Sequence, residues 1–424
     1  MPEIDLAALD TPAYVYDLAE VRRSHELLRR ALPRPSGLYY SLKANPHPAL
    51  LGCLRDRGCR AEVSSPGELR AALDAGFPAA EVLYTGPAKR DEDVRRAVAL
   101  GVREFSADSP RSLDQLDGIA GEHGVRLRYL LRVNANEPVP GVGLAMTGVP
   151  SQFGADVDWV AGRPRAFTGR ANLDLVGLHL YMATNMTDED HLVEQFTIAI
   201  GVAARLRDRL GTSFRTLDLG GGFGAPYAHA GELPRFPTLA ARVAALLDRD
   251  FPGWRGGAPE VVFESGRYLT STCGRLVTRA LEVKWSHGKR IVVFESGINH
   301  LGGMSGLRRV PVISPDLVDP NRPGVTGAAA GEDGALAVGP LCTPLDSWTR
   351  SAAVPDFRPG EVAVVPNVGA YGLSASLALF LGHPMPAEVV VDGGRVLEST
   401  RLAVRRERLA AALPQPFAMA GDLS

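Results

Sequence analysis

The sequence predicts an α/β fold: a parallel (β/α)8 TIM barrel over residues 25–270, and a mostly β domain assembled from residues 1–24 with 271–424. Three observations predict it. Short β-branched or aromatic runs alternate with amphipathic helical stretches eight times. Polar or glycine-rich residues close nearly every run, as they do where a barrel places its chemistry. After residue 270 the alternation gives way to strands joined by tight turns.

The eight runs are GLYYSLK (37–43), RAEVSS (60–65), EVLYTGP (81–87), VREFSAD (102–108), RLRYLLRVN (126–134), LDLVGLHLY (173–181), FRTLDLGGG (214–222) and APEVVFESG (258–266). Helical stretches separate them, from HPALLGCLRDRG after the first run to FPTLAARVAALLDRDF before the last. Ser65-Pro66 and Ser109-Pro110 each set a capping hydroxyl before a proline at the first helical position, and three of the shorter helices run into glycine. Beyond the barrel, LVTRALEVKW and KRIVVFESG read as strands around a Ser-His-Gly turn, EVAVVPNVGAYG as another, and AEVVVDGGRVLES as a hairpin. Residues 313–338, rich in Pro, Gly and Asp, read as a loop or insertion.

A chain of 424 residues with a net charge of −2 has no basic field to recruit nucleic acid or an anionic membrane, which favours a small-molecule partner. The N-terminal MPEIDLAALDTPAYVYD lacks the basic flank and apolar core of a signal peptide, and no apolar run approaches a membrane span, so the expected location is cytoplasmic. Cys53, Cys59, Cys273 and Cys342 are scattered with no CxxC pair, against a disulfide framework or a structural zinc. The sequon at Asn185-Met186-Thr187 has no secretory context.

Lys43, Glu62, Arg132, His179, Gly220-Gly221-Gly222 and Glu264 with Arg267 stand at strand ends and converge on one barrel mouth. Three chemistries compete for them. Gly220-x-Gly222-x-x-Ala225 matches a dinucleotide fingerprint formally, but Pro226-Tyr227-Ala228-His229 does not open a helix, so the context is wrong. His179, Glu264 and Asp218 could hold a metal, yet no HxxxH or comparable spacing accompanies them, and no metal is expected. The third chemistry uses every part: a lysine amine condenses with an aldehyde, a glycine loop holds a phosphate, and a carboxylate keeps an aromatic nitrogen protonated. Those are the needs of pyridoxal 5′-phosphate.

SLKAN, AEVSSPGEL, YTGPAK, LRVN, GLHLY, DLGGGFG, FESGR, GPLCTPLD and GAYG occur in an order that resembles the fold-type III pyridoxal phosphate decarboxylases, which include diaminopimelate, ornithine and arginine decarboxylases. The resemblance runs from Thr11 to about Pro386 and implies an alanine-racemase-like barrel. It implies that Lys43 is the Schiff-base lysine and that Glu264 pairs with the pyridine nitrogen. Thr184, Gly220, Gly221, Gly222, Ser265, Gly266, Arg267 and Tyr371 match cofactor-binding positions, with Glu62, Arg132, His179 and Tyr181 lining the same pocket. Cys342 matches a cysteine that reaches the neighbouring subunit's site as proton donor, which implies a homodimer with shared active sites.

Four departures bear on substrate. The usual His-x-His reads His179-Leu180-Tyr181, so ring stacking falls to Tyr181. Thr343 follows Cys342 where diamine-forming members carry an acid that reads a distal amine; losing that charge-assisted bond costs about 1.5–3 kcal/mol. After Gly297-Ile298-Asn299 the distal-group ligands of diaminopimelate decarboxylases are replaced by a glycine-rich run ending in Arg308 and Arg309, which could meet an anionic tail. GVGLAMTGVPSQFG and GAYGLSASLALFLGHPMPAEV resemble branches of specialised metabolism that act on glutamyl groups tethered to acyl-carrier proteins or on citryl-diaminopropionate. The expected reaction is therefore loss of the α-carboxylate from a conjugated or carrier-tethered amino acid, with Thr343, Asp346, Arg308 and Arg309 on the substrate side and an acyl-carrier protein as a partner. Diaminopimelate decarboxylase, an amino acid racemase and a non-catalytic regulatory homologue are the alternatives.

Overall fold

A computed structural model of the chain describes residues 4–137, 151–302, 313–322, 334–352 and 354–407. The chain opens with β1 (Ala13–Asp17) and α1 (Leu18–Ala31). It then alternates through β2 (Gly37–Ser41), α2 (Pro48–Arg55), β3 (Arg60–Val63), α3 (Pro66–Asp74), β4 (Val82–Tyr84), α4 (Asp91–Ala99), β5 (Glu104–Ala107) and α5 (Pro110–Glu122). Next come β6 (Leu127–Asn134), β7 (Ala155–Asp156), α6 (Val157–Gly162), β8 (Leu173–Leu180), α7 (Glu189–Leu210), β9 (Thr216–Asp218), α8 (Leu239–Asp250) and β10 (Glu260–Ser265). Parallel pairing runs β2-β3-β4-β5-β6-β8-β9-β10 and returns from β10 to β2, closing an eight-stranded barrel; the two-residue β7 only flanks β6.

Each expected run contains one barrel strand. The seventh is much shorter than its run, because Gly220 and Gly222 take positive φ and bend the chain away after Asp218. The caps act as their residue types require: Ser65 accepts from the Glu68 N–H, Ser109 and Ser112 form a reciprocal capping box, and glycines 58, 76 and 101 follow the helices α2, α3 and α4 in left-handed conformations.

The barrel interior is layered by the two-residue strand period. Tyr39, Leu83, Leu130, Val176 and Val262 form an apolar floor of their own. Two residues further along four of these paths, toward the carboxyl ends, stand Ser41, Thr85, Arg132 and Glu264, joined by His179 of β8 and by Glu62, Ser106 and Asp218 from β3, β5 and β9. An apolar floor thus supports a polar ring, which is where a barrel enzyme binds its ligand.

After α9 (Arg267–Thr270) come β11 (Gly274–Ser286), β12 (Lys289–Phe294), β13 (Ala335–Val338), β14 (Ser347–Ala352), β15 (Val362–Val365), β16 (Ala387–Asp392) and β17 (Arg395–Arg401). They join β1 in a second sheet of order β14-β13-β12-β11-β1-β16-β17, with β15 on β11. His287-Gly288 and Gly393-Gly394 turn its two hairpins with positive φ, matching the expected Ser-His-Gly and Asp-Gly-Gly turns. The expected loop over 313–338 needs correction at both ends: Val318 bridges to Val364, and β13 pairs in parallel with β12. Among the described residues no helix is long and apolar enough to cross a membrane.

Candidate active site

β2 delivers Lys43 to the barrel mouth in a single 3-10 turn, Leu42–Ala44. Its Nζ lies 3.7 Å from Oε2 of the buried Glu62, and 5.7 Å from the centroid of the Tyr181 ring. The neighbouring Glu62 carboxylate holds the Lys43 ammonium protonated well above its ordinary range, against the opposing effect of burial. Burial pushes Glu62 itself up, but Lys43, hydrogen bonds from Thr85 and Ser41, and the more distant Arg132 outweigh it, so the carboxyl lies below its usual range.

One pocket collects Ser41, Lys43, Tyr181, Thr184, Gly222, Phe223, Glu264, Ser265, Gly266, Arg267 and Tyr371. The glycine loop forms its back wall. A Cβ on Gly221 would come within 2.1 Å of the Glu264 carbonyl oxygen, and Gly222 has φ of +95° with the Ala183 carbonyl oxygen 2.7 Å from where its Cβ would stand. Only glycine lets the backbone turn there and face a ligand with its N–H groups. Arg267 lies over the Tyr371 ring at 4.8 Å, and its buried Nε makes no hydrogen bond. Tyr371 is held in a left-handed conformation, φ +55°, by its N–H donating to the Ala44 carbonyl at 2.7 Å and its carbonyl accepting from the Tyr227 hydroxyl at 2.8 Å. Its backbone thereby ties the Lys43 turn to the far side of the pocket.

Beneath the mouth lies a sealed cluster. Glu264 Oε1 is 3.3 Å from His179 Nε2, and His179 Nδ1 meets the Ser106 hydroxyl at 2.8 Å. Donor atoms of His179, Asp218 and Glu264 all lie within 4.8 Å of one another. Burial, reinforced by Arg132, Lys43 and Lys89, drives the His179 pKa well below its ordinary value, leaving a neutral imidazole. Burial also raises Glu264 well above its usual range, aided by Asp218 and Glu62, and lifts Asp218 to about 7. Glu264 Oε1, His179 Nε2, Asp218 Oδ2 and Ser265 Oγ are buried without a hydrogen-bond partner, a concentration of unmet polar atoms that a ligand can satisfy.

Arg132 stacks on Phe153 at 4.8 Å and stands 5.9 Å from the Tyr181 ring. The substrate-side residues fall elsewhere. Cys342 is exposed and Thr343 half-buried in a turn of the second sheet, and neither lines the Lys43 pocket of its own chain. Asp346, expected to face a substrate, is instead buried: its carboxylate accepts from the backbone N–H groups of Ile298 and Leu341, both at 2.8 Å, which makes it the anchor of that turn. Arg308 and Arg309 lie outside the described residues. Ser41, Thr85, Ser106 and Phe223 are not among the expected site residues; Ser41, Thr85 and Phe223 carry a signal in lying within the SLKAN, YTGPAK and DLGGGFG motifs, and Ser106 only in its place near the end of β5. Asp218 was expected only as a rival metal ligand, though its place just before the glycine run marks it.

The profile of a family described as "Pyridoxal-dependent decarboxylase, pyridoxal binding domain" matches residues 18–271. The chain is 31% identical to the L-glutamyl-[BtrI acyl-carrier protein] decarboxylase of Niallia circulans, over 91% of this chain and 90% of that one. It is 30% identical to a diaminopimelate decarboxylase of Methanothermobacter thermautotrophicus, over 91% and 88% of the two chains. It is also 28% identical to the Staphylococcus aureus 2-[(L-alanin-3-ylcarbamoyl)methyl]-2-hydroxybutanedioate decarboxylase, over 88% and 92%. The fold matches that of the Helicobacter pylori diaminopimelate decarboxylase solved with L-lysine, with a TM-score of 0.78, 24% identity, and 92% and 94% of the two chains covered.

Proposed function

The chain belongs to the pyridoxal-dependent decarboxylase family, a carboxy-lyase family that uses pyridoxal 5′-phosphate, and on that premise we propose that it decarboxylates an amino acid already conjugated or tethered to a carrier. The residues present fit the cofactor. A lysine amine stands at the mouth, a glycine wall presents backbone N–H groups beside an arginine with an unmet Nε, and a buried carboxyl oxygen waits without a partner.

Bound pyridoxal phosphate supplies a cationic ring that accepts the electron pair released when carbon dioxide leaves. Lys43 would hold the cofactor at its aldehyde carbon, and Glu264 would stabilise a positive charge at the ring nitrogen. Gly220 to Gly222, Gly266, Arg267 and Tyr371 would bind the phosphate end, Thr184 and Ser265 would complete the cofactor pocket, and Tyr181, with Arg132 5.9 Å from its ring centroid, would offer an aromatic face to the ring. Glu62 holds the free Lys43 as an ammonium beside the site, a proton source that the Glu62 charge also makes a weak acid.

Cys342 is a second proton donor, supplied by a second copy of the chain. Its exposure in the second sheet, away from its own Lys43, supports a dimer with shared sites. Domain boundaries at residues 25 and 270 suit that arrangement, since the barrel supplies one half of each site and the β-rich part the other.

The substrate class rests on one observation: Thr343, a neutral residue, occupies the position after Cys342 where an acid would read a distal ammonium. A substrate whose far end is an amide or a tether needs no acid there. The relatives acting on a carrier-bound glutamyl group and on an amide-linked alanine derivative are in keeping with it. Carbon dioxide release from carrier-bound glutamate or an amide-linked diaminopropionate, set against release from free diaminopimelate, tests the proposal. Fast turnover of diaminopimelate alone overturns it in favour of the diaminopimelate decarboxylase reading.

A further inference from the structure

The cluster under the mouth holds one acid more than the proposed chemistry uses. Asp218 closes β9 directly opposite His179 of β8 in the strand register, and Val262, its partner on β10, is two residues before Glu264. It is completely buried. Oδ1 accepts the Gly220 N–H at 2.9 Å, fixing the first glycine of the loop, while Oδ2 has no hydrogen-bond partner among the described residues.

Several charged groups share this interior. Lys43 follows β2, Arg60 and Glu62 lie on β3, Arg132 on β6, His179 on β8 and Glu264 on β10. Glu62 faces the Lys43 ammonium and takes the Thr85 hydroxyl on Oε1, while its Oε2 makes no hydrogen bond. Asp218 and Glu264 also each keep a buried oxygen without a hydrogen bond. Two buried carboxyls whose oxygens lie within 4.8 Å of one another, with no cation between them among the described residues, disfavour double ionisation. The same burial that raises both acids makes the pair hold a proton at neutral pH.

We propose that Asp218 is a positioning residue for the cofactor's ring nitrogen: one oxygen fixes the glycine loop, and the other shares with Glu264 a single proton that Glu264 delivers to the nitrogen as the cofactor seats. The step balances within the cluster. The O–H bond of Glu264 breaks, an N–H bond forms on the nitrogen lone pair, and Glu264 is left as a carboxylate facing the new cation. No proton is drawn from solvent. The Asp218 charge then adds to that of Glu264 in holding the nitrogen protonated as pH rises. The inference rests on the assignment of Glu264 to the ring nitrogen, and its test separates the two.

The test is nitrogen-15 magnetic resonance of holoenzyme loaded with ring-15N pyridoxal phosphate, titrated from acid to alkaline pH. The expected result is a protonated nitrogen across the neutral range in the wild type, with its deprotonation midpoint falling by roughly 1 to 3 pH units in Asp218→Asn, as removal of a nearby charge requires. D218N keeps an acceptor for Gly220, so the glycine loop is retained, and each enzyme is titrated at saturating cofactor. Asp218→Ser, a smaller uncharged acceptor, gives the same downward shift and serves if D218N does not fold. Wild-type titration of both variants beside a Glu264→Gln enzyme that has lost the protonated nitrogen overturns the inference alone. An E264Q enzyme that keeps the protonated nitrogen overturns the assignment of Glu264 and the inference with it.

Discussion

Lys43 and Glu62 face each other 3.7 Å apart from the ends of adjacent strands, and every later feature of the pocket is arranged around that pair. The pairing explains why a lysine stands where a buried strand gives way to a turn. Its partly exposed ammonium compensates the buried Glu62 carboxylate, whose charge would otherwise stand unpaired, with Tyr181 close by.

Replacing Lys43 tests whether it holds the cofactor. Lys43→Ala is expected to abolish both turnover and the visible absorbance of covalently held pyridoxal phosphate. Because the side chain is 43% exposed and belongs to no core cluster, circular dichroism and the melting temperature of the cofactor-free protein should remain near wild type. A variant that keeps the absorbance would remove Lys43 from the role.

Glu62→Gln has a pH signature with a definite sign. The Glu62 carboxyl lies below its ordinary range in the folded protein, so its contribution to stability is present above about pH 4.3 and is lost as pH falls below that value. Lys43 is raised, so its share is intact below about pH 10.4 and fades only above it. Urea unfolding of the cofactor-free protein from pH 6 to 3 should therefore show a steeper loss in wild type than in E62Q.

Gly221 has no room for a methyl group, since its Cβ would meet the Glu264 carbonyl oxygen at 2.1 Å. Gly221→Ala is expected to cost about 1–3 kcal/mol by forcing the backbone aside. It should also weaken pyridoxal phosphate binding by about tenfold or more, equivalent to some 1.4 kcal/mol. Equilibrium unfolding and cofactor titration measure the two effects separately.

Thr343→Glu restores an acid beside Cys342. If the distal end of the substrate passes this position, activity on a free diamino acid should rise roughly 10- to 100-fold in kcat/KM, as a charge-assisted hydrogen bond allows. Turnover of the conjugated substrate should fall in the same variant.

Sharing of sites between two chains is tested by mixing. Cys342→Ala is expected to lower turnover while cofactor affinity stays near wild type, because the pocket collected around Lys43, with its glycine wall and Arg267, belongs to one chain and leaves out Cys342. Co-refolding K43A with C342A, each poorly active alone, should recover activity by forming one intact site in each mixed dimer. Absence of recovery, with dimers present by light scattering, would remove Cys342 from the shared site.

Much of the molecule was legible in the sequence because strand and helix periods differ and caps mark their boundaries. Ser65, Ser109 and the Asp-Gly-Gly turn each appear where local chemistry requires. The polar ring was legible only as a row of strand ends. Which of its members touch depends on barrel stagger, so the contact of Ser106 with His179, 73 positions apart, has no local signal. Asp346 shows the opposite error. A carboxylate four residues after Cys342 looks available for a substrate, but the Ile298 N–H that claims it comes from a distant segment.

The place of β1 in the second sheet has a consequence for biosynthesis. Ala13 lies between Val277 of β11 and Ala387 of β16, so a strand that precedes the barrel in the chain has partners that follow it. The barrel, whose neighbouring strands mostly follow one another in the chain, can close while β1 still waits. Until β16 arrives, Tyr14, Val15 and Tyr16 are an unpaired apolar edge exposed to other nascent chains. Completion of the second sheet therefore waits for synthesis past Asp392, whereas closure of the barrel does not.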